Sequence, residues 1–234
     1  MNEPMLEGIH ACVFDAYGTL FDYGSAAARC ADLLGENFAK LNALWREKQL
    51  QYTWLRASQN RHADFWQVTG DALDFTMDSL GIADAGLRAK LMNLYLTLEP
   101  FPEVFDILVR LKKARFATAI LSNGSPAMLR AVVEAAKLGP LLDAVLSVED
   151  VGVFKPHPYV YGLAVNRLDI PAAHIAFVSA NGWDAHAASA FGMRAIWCNR
   201  YGQKRERLPG APDRVVASLA DLPALVGDMR PHSS

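Results

Sequence analysis

Short runs of apolar residues, each ending in turn residues, dominate the pattern of hydrophobic and polar positions along this chain. Such runs are typical of strands that are buried on both faces of a sheet. Helix-length segments separate most of the runs, which predicts a parallel sheet with helices on both faces. The predicted strands are residues 9–14, 116–121, 144–148, 175–178 and 194–198. The predicted helices between them are residues 127–138, 159–167 and 184–191.

The interval between the first two predicted strands, residues 15–115, breaks this alternation. Residues 25–98 have a helical pattern with no convincing strand, and 37–58 and 64–80 are amphipathic. A proline-rich segment at 99–102 then marks the return to the sheet. The sequence therefore predicts an α/β fold: a doubly wound, Rossmann-like parallel sheet with an inserted all-helical cap. We expect a core of residues 1–22 and 101–230 and a cap of residues 23–100.

Composition and charge exclude several classes of function. The 234 residues include 23 Lys and Arg against 25 Asp and Glu, and the net charge of −2 gives no electrostatic footprint for nucleic acid or an anionic membrane. No apolar stretch approaches the roughly 20 residues that span a bilayer, and residues 1–8 lack the features of a secretory signal. Cys12, Cys30 and Cys198 have no metal-binding spacing and predict free thiols. We expect a cytoplasmic protein.

Polar residues follow four of the predicted strands. Asp15 comes after the first, Ser122-Asn123-Gly124-Ser125 after the second, and Lys155 after the third, between an apolar run and prolines. Ser179-Ala180-Asn181-Gly182-Trp183-Asp184 follows the fourth. Because the carboxyl ends of the strands of a doubly wound sheet border one crevice, these groups are expected to converge on Asp15.

Each of these residues also has a structural interpretation. Asp15 could cap a turn or a helix, and Ser122 or Ser125 could cap the helix that follows. Lys155 could be an ordinary surface lysine. The convergence of four polar clusters, rather than any single residue, favours a catalytic site.

Together these residues resemble the haloacid dehalogenase superfamily, hydrolases with an aspartate nucleophile, over essentially the whole chain. Asp15 with Thr19, Ser122, Lys155 and Asp184 match its four motifs in order. The similarity is closer still to one branch, the (S)-2-haloacid dehalogenases. The segments that carry it are FDAYGTL at 14–20, LWREKQL at 44–50, LSNG at 121–124 and SANGWD at 179–184.

The resemblance implies hydrolysis of short-chain (S)-2-haloalkanoic acids to (R)-2-hydroxyacids through an aspartyl ester at Asp15. Lys155 would keep Asp15 ionised, and Asp184, oriented with Ser179 and Asn181, would activate the hydrolytic water. The implied catalytic residues are Asp15, Thr19, Arg46, Ser122, Lys155, Ser179, Asn181 and Asp184. The implied substrate-binding residues are Tyr17, Leu50, Phe65, Ser122, Asn123 and Trp183, with Arg46 and Asn123 also holding the halide.

For four of these residues the sequence also allows a structural role. Arg46, beside charged neighbours, could belong to a solvated helix face, and Leu50, Phe65 and Trp183 could be ordinary core residues. Two positions depart from the family pattern: Phe154 stands where Tyr is expected before the lysine, and Ala187 stands where Gly is usual.

Tyr17 decides between the reactions of the superfamily. It stands where the phosphatases carry a second Asp, and Ser179 and Asn181 stand where a magnesium site favours carboxylates. We therefore predict no cofactor and no metal ligand. The predicted partners are a small 2-haloacid and a halide, with no nucleic acid and no membrane, and the resemblance implies a homodimer.

Three other functions remain open at this stage. The first is a magnesium-dependent phosphatase of small metabolites with the same fold. The second is a regulatory protein that kept the fold and lost the chemistry. The third is hydrolysis of another carbon electrophile beside a carboxylate.

Overall fold

The computed structural model describes residues 4–227, with residues 25–27 described by their backbone alone. Six parallel strands form one sheet in the order β3-β2-β1-β4-β5-β6. The strands are β1 (Ala11–Phe14), β2 (Ala117–Ser122), β3 (Ala144–Ser147), β4 (Ile175–Ser179), β5 (Arg194–Cys198) and β6 (Arg214–Val216). The chain runs outward from β1 to β3 and returns on the other side of β1. Doubly wound sheets bind ligands at such a reversal of strand order.

The central strand, β1, shows why an apolar run becomes a buried strand. All four of its side chains are buried. It pairs with β2 on one side and β4 on the other, so that Phe14 lies opposite both Ile120 and Val178. A parallel sheet covered on both faces requires such continuous apolar strands. Asp15, the next residue, therefore emerges beside the ends of two neighbouring strands.

Ten α-helices accompany the sheet in the described part of the chain. They are α1 (Tyr23–Ala28), α2 (Ala31–Leu34), α3 (Phe38–Ser58), α4 (Phe65–Ser79), α5 (Ala85–Leu94), α6 (Val104–Lys113), α7 (Pro126–Ala135), α8 (Pro158–Leu168), α9 (Gly182–Phe191) and α10 (Leu222–Val226). Short 3-10 helices occur at Gly35–Asn37, Gly139–Leu141, Val148–Asp150, Ala172–His174 and Leu219–Asp221. None of the helices within residues 4–227 has both the length and the apolar character needed to cross a membrane.

Six α-helices lie between β1 and β2 in the described chain, and the first five, α1 to α5, form the inserted segment, which confirms the predicted all-helical insertion. The long helix α3 packs on α4 through residues spaced four apart: Leu41, Trp45, Gln49 and Thr53 are buried. This spacing places them on one helix face. The indole N–H of Trp45 donates to the Thr69 carbonyl of α4 at 2.9 Å, which fixes the two helices against each other.

The two connections between the inserted segment and the sheet run side by side. The Asp22 N–H donates to the Glu99 carbonyl, and the Phe101 N–H donates to the Leu20 carbonyl, both at 2.9 Å. The outgoing and returning chains are thus joined near residues 22 and 100.

The predicted strands need five corrections. The strand predicted at 9–14 begins at Ala11, and the strand predicted at 116–121 covers Ala117–Ser122. The sequence pattern missed β6, which has three residues at the edge of the sheet and only one buried side chain, so its apolar signal is weak. The strand predicted at 144–148 ends at Ser147, because that side chain accepts the Glu149 N–H and starts a 3-10 helix. The strand predicted at 175–178 continues to Ser179. The predicted limits of the core at residues 1 and 230 lie outside the described residues.

Candidate active site

Both carboxylate oxygens of Asp15 are held by neighbouring side chains at the end of β1. Oδ1 accepts a hydrogen bond from Lys155 Nζ at 3.1 Å. Oδ2 accepts from the Thr19 hydroxyl at 3.1 Å and from the Asn181 side-chain amide at 2.9 Å. Asp15 is 6% exposed, so it still has access to an adjoining cavity. The structure thus brings together predicted residues from three strand ends around one carboxylate.

The turn after Asp15 explains how Thr19 reaches it. The Ala16 carbonyl accepts the N–H groups of Leu20 and Phe21, which folds the chain back tightly. Gly18 has φ +84°, and a Cβ there would lie 2.6 Å from the Tyr23 ring. Only glycine fits such a conformation and such a close approach without strain.

Lys155 is a buried cation shared by two carboxylates. It is 1% exposed, and its Nζ lies 3.1 Å from Asp15 Oδ1 and 2.9 Å from Asp184 Oδ2. Burial alone would lower the pKa of Lys155, but the two carboxylates outweigh burial and raise it. The ammonium group therefore keeps its charge between the two acids. The interpretation of Lys155 as a surface lysine is wrong.

Asp184 is the more deeply buried of the two acids. It lies in the first turn of α9 with 0% exposure. Burial raises its pKa, the charge of Asp15 raises it further, and Lys155 only partly opposes this. The Tyr161 hydroxyl donates to Asp184 Oδ1 at 2.6 Å. The carboxylate is thus held by Lys155 and Tyr161.

The expected orientation of Asp184 by Ser179 and Asn181 differs from what the structure shows. The Ser179 hydroxyl accepts the Asn181 N–H at 3.1 Å and so shapes the turn after β4. The Asn181 side chain contacts Asp15 and Arg46 instead. Tyr161, which takes the expected place beside Asp184, was missed in the sequence. The feature that could have identified Tyr161 is its hydroxyl group, which lies on the buried face of α8 and therefore needs a hydrogen-bond partner.

Arg46 reaches the sheet from helix α3. Its guanidinium donates to Asn181 Oδ1 at 3.2 Å and to Gln49 Oε1 at 2.7 Å, and it lies 5.3 Å from the centre of the Tyr23 ring. Gln49 is completely buried and donates in turn to the Thr69 hydroxyl at 2.8 Å. Arg46 therefore belongs to the site rather than to a solvated helix face. Gln49, which holds it, was not predicted.

The second strand end contributes hydrogen-bond donors. The Ser122 hydroxyl oxygen accepts the Gly124 N–H at 3.1 Å, which leaves its own proton available for another acceptor. Asn123 Oδ1 accepts the Lys155 N–H at 3.0 Å, which leaves the Asn123 amino group as a donor. Ser125 caps α7 by accepting the Met128 N–H, so the capping interpretation is correct for Ser125.

These groups enclose a small cavity, which we call the reaction cavity. Its volume is about 20 Å³. A space of this size holds about one water molecule. It is lined by Asp15, Tyr17, Arg46, Leu50, Phe65, Ser122, Asn123, Lys155, Asn181 and Trp183. Every residue predicted to bind substrate or halide therefore borders one space, and a larger ligand requires some of the walls to move.

Tyr17 presents an unused donor at this cavity. Its ring packs 6.0 Å from Phe65 and 5.7 Å from Tyr95, measured between ring centres. Its hydroxyl is buried and has no hydrogen-bond partner among the described residues. Burial raises the pKa of Tyr17 far above its usual value, with further contributions from Tyr95 and Asp15. The phenol therefore stays protonated, and an anion in the cavity would satisfy it.

The acidic residues are arranged around a lysine rather than around a space for a metal ion. Asp15 and Asp184 both bind the Lys155 ammonium group. No cluster of three or more His, Cys, Asp or Glu residues suited to a metal ion occurs within residues 4–227. The described cysteines, Cys12, Cys30 and Cys198, are buried free thiols.

Comparisons with known proteins agree with this geometry. The (S)-2-haloacid dehalogenase of Pseudomonas sp. (strain YL) is 46% identical, over 92% of this chain and 93% of its own. The (S)-2-haloacid dehalogenase 1 of Pseudomonas sp. (strain CBS-3) is 40% identical, over 94% and 98%. The structure of the L-2-haloacid dehalogenase from Xanthobacter autotrophicus with chloropropionic acid covalently bound matches with a TM-score of 0.88 at 39% identity, over 95% and 100%. Residues 9–192 match the family model of the haloacid dehalogenase-like hydrolases. The chain belongs to the haloacid dehalogenase-like hydrolase family.

Proposed function

We propose that this chain hydrolyses (S)-2-haloalkanoic acids to (R)-2-hydroxyacids through an ester at Asp15. The observation that carries the proposal is the environment of Asp15: both carboxylate oxygens are held, and the group borders a cavity that Arg46 also lines. The similar dehalogenase with covalently bound chloropropionic acid supports the same reaction here.

In the first step an Asp15 oxygen attacks the α carbon of the substrate. The carbon–halogen bond breaks, the halide leaves with the bonding electrons, and the configuration at carbon inverts. Thr19, Asn181 and Lys155 limit the motion of the carboxylate, so that it is aimed before the substrate binds. Charge develops on the leaving halide, and Arg46 with the Asn123 amino group would stabilise it.

The substrate is oriented by donors on one side of the reaction cavity and an apolar wall on the other. The free hydroxyl protons of Tyr17 and Ser122 would bind the substrate carboxylate. Leu50, Phe65 and Trp183 would contact its side chain. A monoanionic haloacid thus matches the cavity in both charge and polarity.

In the second step water attacks the carbonyl carbon of the Asp15 ester. Asp184 takes the proton from this water, because it binds the same ammonium group as Asp15 and therefore lies close to the ester. Its raised pKa makes it a stronger base than an ordinary aspartate. The ester oxygen leaves with the product as the hydroxyl group of the 2-hydroxyacid.

Substrate access requires motion of the inserted helices. We propose that residues 23–100 act as a cap on a core of residues 1–22 and 101–230, hinged where the two connections pair. A reaction cavity of about 20 Å³ excludes water effectively once the substrate is bound, but must open to admit it. We also propose a cytoplasmic homodimer, which the resemblance and the buried free thiols support.

The magnesium-dependent phosphatase is less well supported. Lys155 binds both acids that would serve as metal ligands, and Tyr17 replaces the second acid of the motif.

Halide release from (S)- and (R)-2-chloropropionate in the presence of a chelator tests the proposal, beside phosphate release from a phosphate ester with magnesium. We expect halide from the (S) form alone, unaffected by the chelator. Phosphate release without halide would overturn the proposal. A single turnover in oxygen-18 water should leave the label in Asp15, and label found only in the product would mean direct attack by water.

A further inference from the structure

A second and larger space lies next to the reaction cavity. This cleft has a volume of about 760 Å³, within the range of sites that bind small organic ligands. Trp54 and Ala57 of α3 line it on the side of the inserted segment. Phe154, Trp183 and Ala187 line it on the side of the sheet. The lining is predominantly apolar, and none of the steps proposed above uses this space.

Trp183 lies between the cleft and the reaction cavity, because this residue lines both. Its ring packs edge-on against Trp54, with ring centres 5.6 Å apart and planes at 85°. The indole N–H is buried and has no hydrogen-bond partner among the described residues. Turning the ring therefore breaks packing contacts but no hydrogen bond of that N–H, and the cleft offers the space into which it can turn.

We propose that the cleft binds the alkyl side chains of longer 2-haloalkanoic acids, with Trp183 as the gate between the two spaces. The inference rests on the proposed function. The carboxylate, the α carbon and the halogen stay in the reaction cavity, and the side chain passes Trp183 into the cleft. An aliphatic chain matches the apolar lining, and the shared wall gives it a continuous path from Asp15. The substrate class then extends beyond the short-chain acids inferred from the sequence.

The wild-type protein should show this in its dependence on chain length. We would measure bromide release from (S)-2-bromopropionate, (S)-2-bromobutyrate, (S)-2-bromohexanoate and (S)-2-bromooctanoate. Each methylene group that leaves water for an apolar site strengthens binding about threefold to fourfold. We therefore expect kcat/KM to rise with chain length. Unreactive octanoate should also inhibit turnover of (S)-2-bromopropionate at lower concentrations than propionate does.

Filling the cleft should remove only the advantage of the long chains. Ala187 lies one helical turn after Trp183 on α9 and makes no polar contact with the reaction cavity. Ala187→Leu should leave kcat/KM for (S)-2-bromopropionate within about twofold, and lower it roughly tenfold for (S)-2-bromooctanoate, the equivalent of two displaced methylene groups. Ala57→Leu, from the opposite wall, should act in the same direction. Ala135→Leu, at the exposed end of α7, makes the same change away from the cleft and should alter neither substrate.

The outcomes separate this inference from the function on which it rests. A chain-length profile that does not change in Ala187→Leu and Ala57→Leu would overturn the inference. So would an equal loss for all chain lengths in both variants, which would make the cleft an access route only. If Ala187→Leu fails to fold, Ala57→Leu and the inhibition by octanoate decide. Absence of bromide release from every 2-bromoacid by the wild type would instead contradict the proposed function.

Discussion

The two halves of the site are built in different ways. The half that comes from the sheet is a connected polar network in which Lys155 binds Asp15 and Asp184, and Asn181 binds Asp15. Among the described side chains, the half that comes from the inserted segment reaches this network through one hydrogen bond, from Arg46 to Asn181 at 3.2 Å. The other residues of the inserted segment that line the reaction cavity, Leu50 and Phe65, are apolar.

This difference indicates that the two halves of the site have different roles. The proposed nucleophile, Asp15, and the groups that balance its charge are positioned without the inserted helices, so the segment can open without disrupting them. In the proposed reaction the inserted half supplies what is needed only when substrate is present: a cation for the leaving halide and an apolar wall. Substitutions in the sheet half should therefore stop the chemistry, whereas substitutions in the inserted half should weaken closure and halide departure.

The largest effect is expected at Asp15. Asp15→Asn removes the nucleophilic carboxylate but keeps the shape of the side chain, so we expect a loss of at least about 10³-fold in halide release. Asp106→Asn, on the exposed surface of α6, makes the same chemical change away from the site and should be fully active. Activity of Asp15→Asn near that of the control would mean that the network does not hold the nucleophile.

Arg46 tests the inserted half at its hydrogen bond to Asn181 of the polar network. Arg46→Ala should lower kcat roughly 10²-fold to 10³-fold, as expected for loss of a donor to developing negative charge. Chloride leaves less readily than bromide, so the loss should be larger for 2-chloropropionate than for 2-bromopropionate. The matched control is Arg56→Ala on the same helix, where the guanidinium binds Asp71 instead. Equal losses for the two halides would argue against a role at the leaving group.

The sheet half was the more predictable from sequence, for a topological reason. Parallel strands bring their carboxyl ends to one edge, so polar residues after several strands must meet whatever the detailed packing. No such rule says which face of an inserted helix covers that edge. The placement of Arg46 and Phe65 therefore came from the resemblance, and the structure then brought both to the reaction cavity.

The two missed residues share one physical feature: each is a polar side chain on a buried helix face. Gln49 stands in the four-residue spacing of Leu41, Trp45 and Thr53, the buried stripe of α3. A polar residue in such a stripe must find a hydrogen-bond partner, which is the signal that could have identified it. Tyr161 on α8 is the second case. Arg46, the partner of Gln49, lies on α3 outside this stripe, and Asp184, the partner of Tyr161, lies on α9. The buried faces alone therefore do not identify either partner.

Tyr161 tests the hydrolysis step within the sheet half. Its hydroxyl donates to Asp184 and so favours the ionised acid. Tyr161→Phe removes that donor, and the pKa of Asp184, already raised by burial, should rise further. A general base must be ionised, so the acid limb of the kcat profile should move to higher pH, with kcat at pH 7 about fivefold lower. Tyr159→Phe, an exposed neighbour, should leave the profile unchanged.

The same variant should separate the two chemical steps. In the proposed mechanism Asp184 takes no part in forming the ester, so Tyr161→Phe should accumulate the Asp15 ester, detected as added mass on the protein. A shift of the acid limb to lower pH, or no accumulation of ester, would place Tyr161 outside the hydrolysis step.

The smallest effect is expected at a second contact between the two halves. Glu149, after β3, binds His62 Nε2 at 2.8 Å and the Phe65 N–H at 3.3 Å, both of which belong to the inserted segment. Partly exposed pairs of this kind contribute about 1 kcal/mol or less, so Glu149→Ala should reduce the closed population modestly. We expect KM for (S)-2-chloropropionate to rise about threefold while kcat stays within about twofold. Asp74→Ala, which removes a partner of Arg88 entirely within the inserted segment, should change neither value. A large loss of kcat in Glu149→Ala would show that the geometry of the sheet half depends on closure of the inserted segment. The inference that the sheet half is positioned independently would then be wrong.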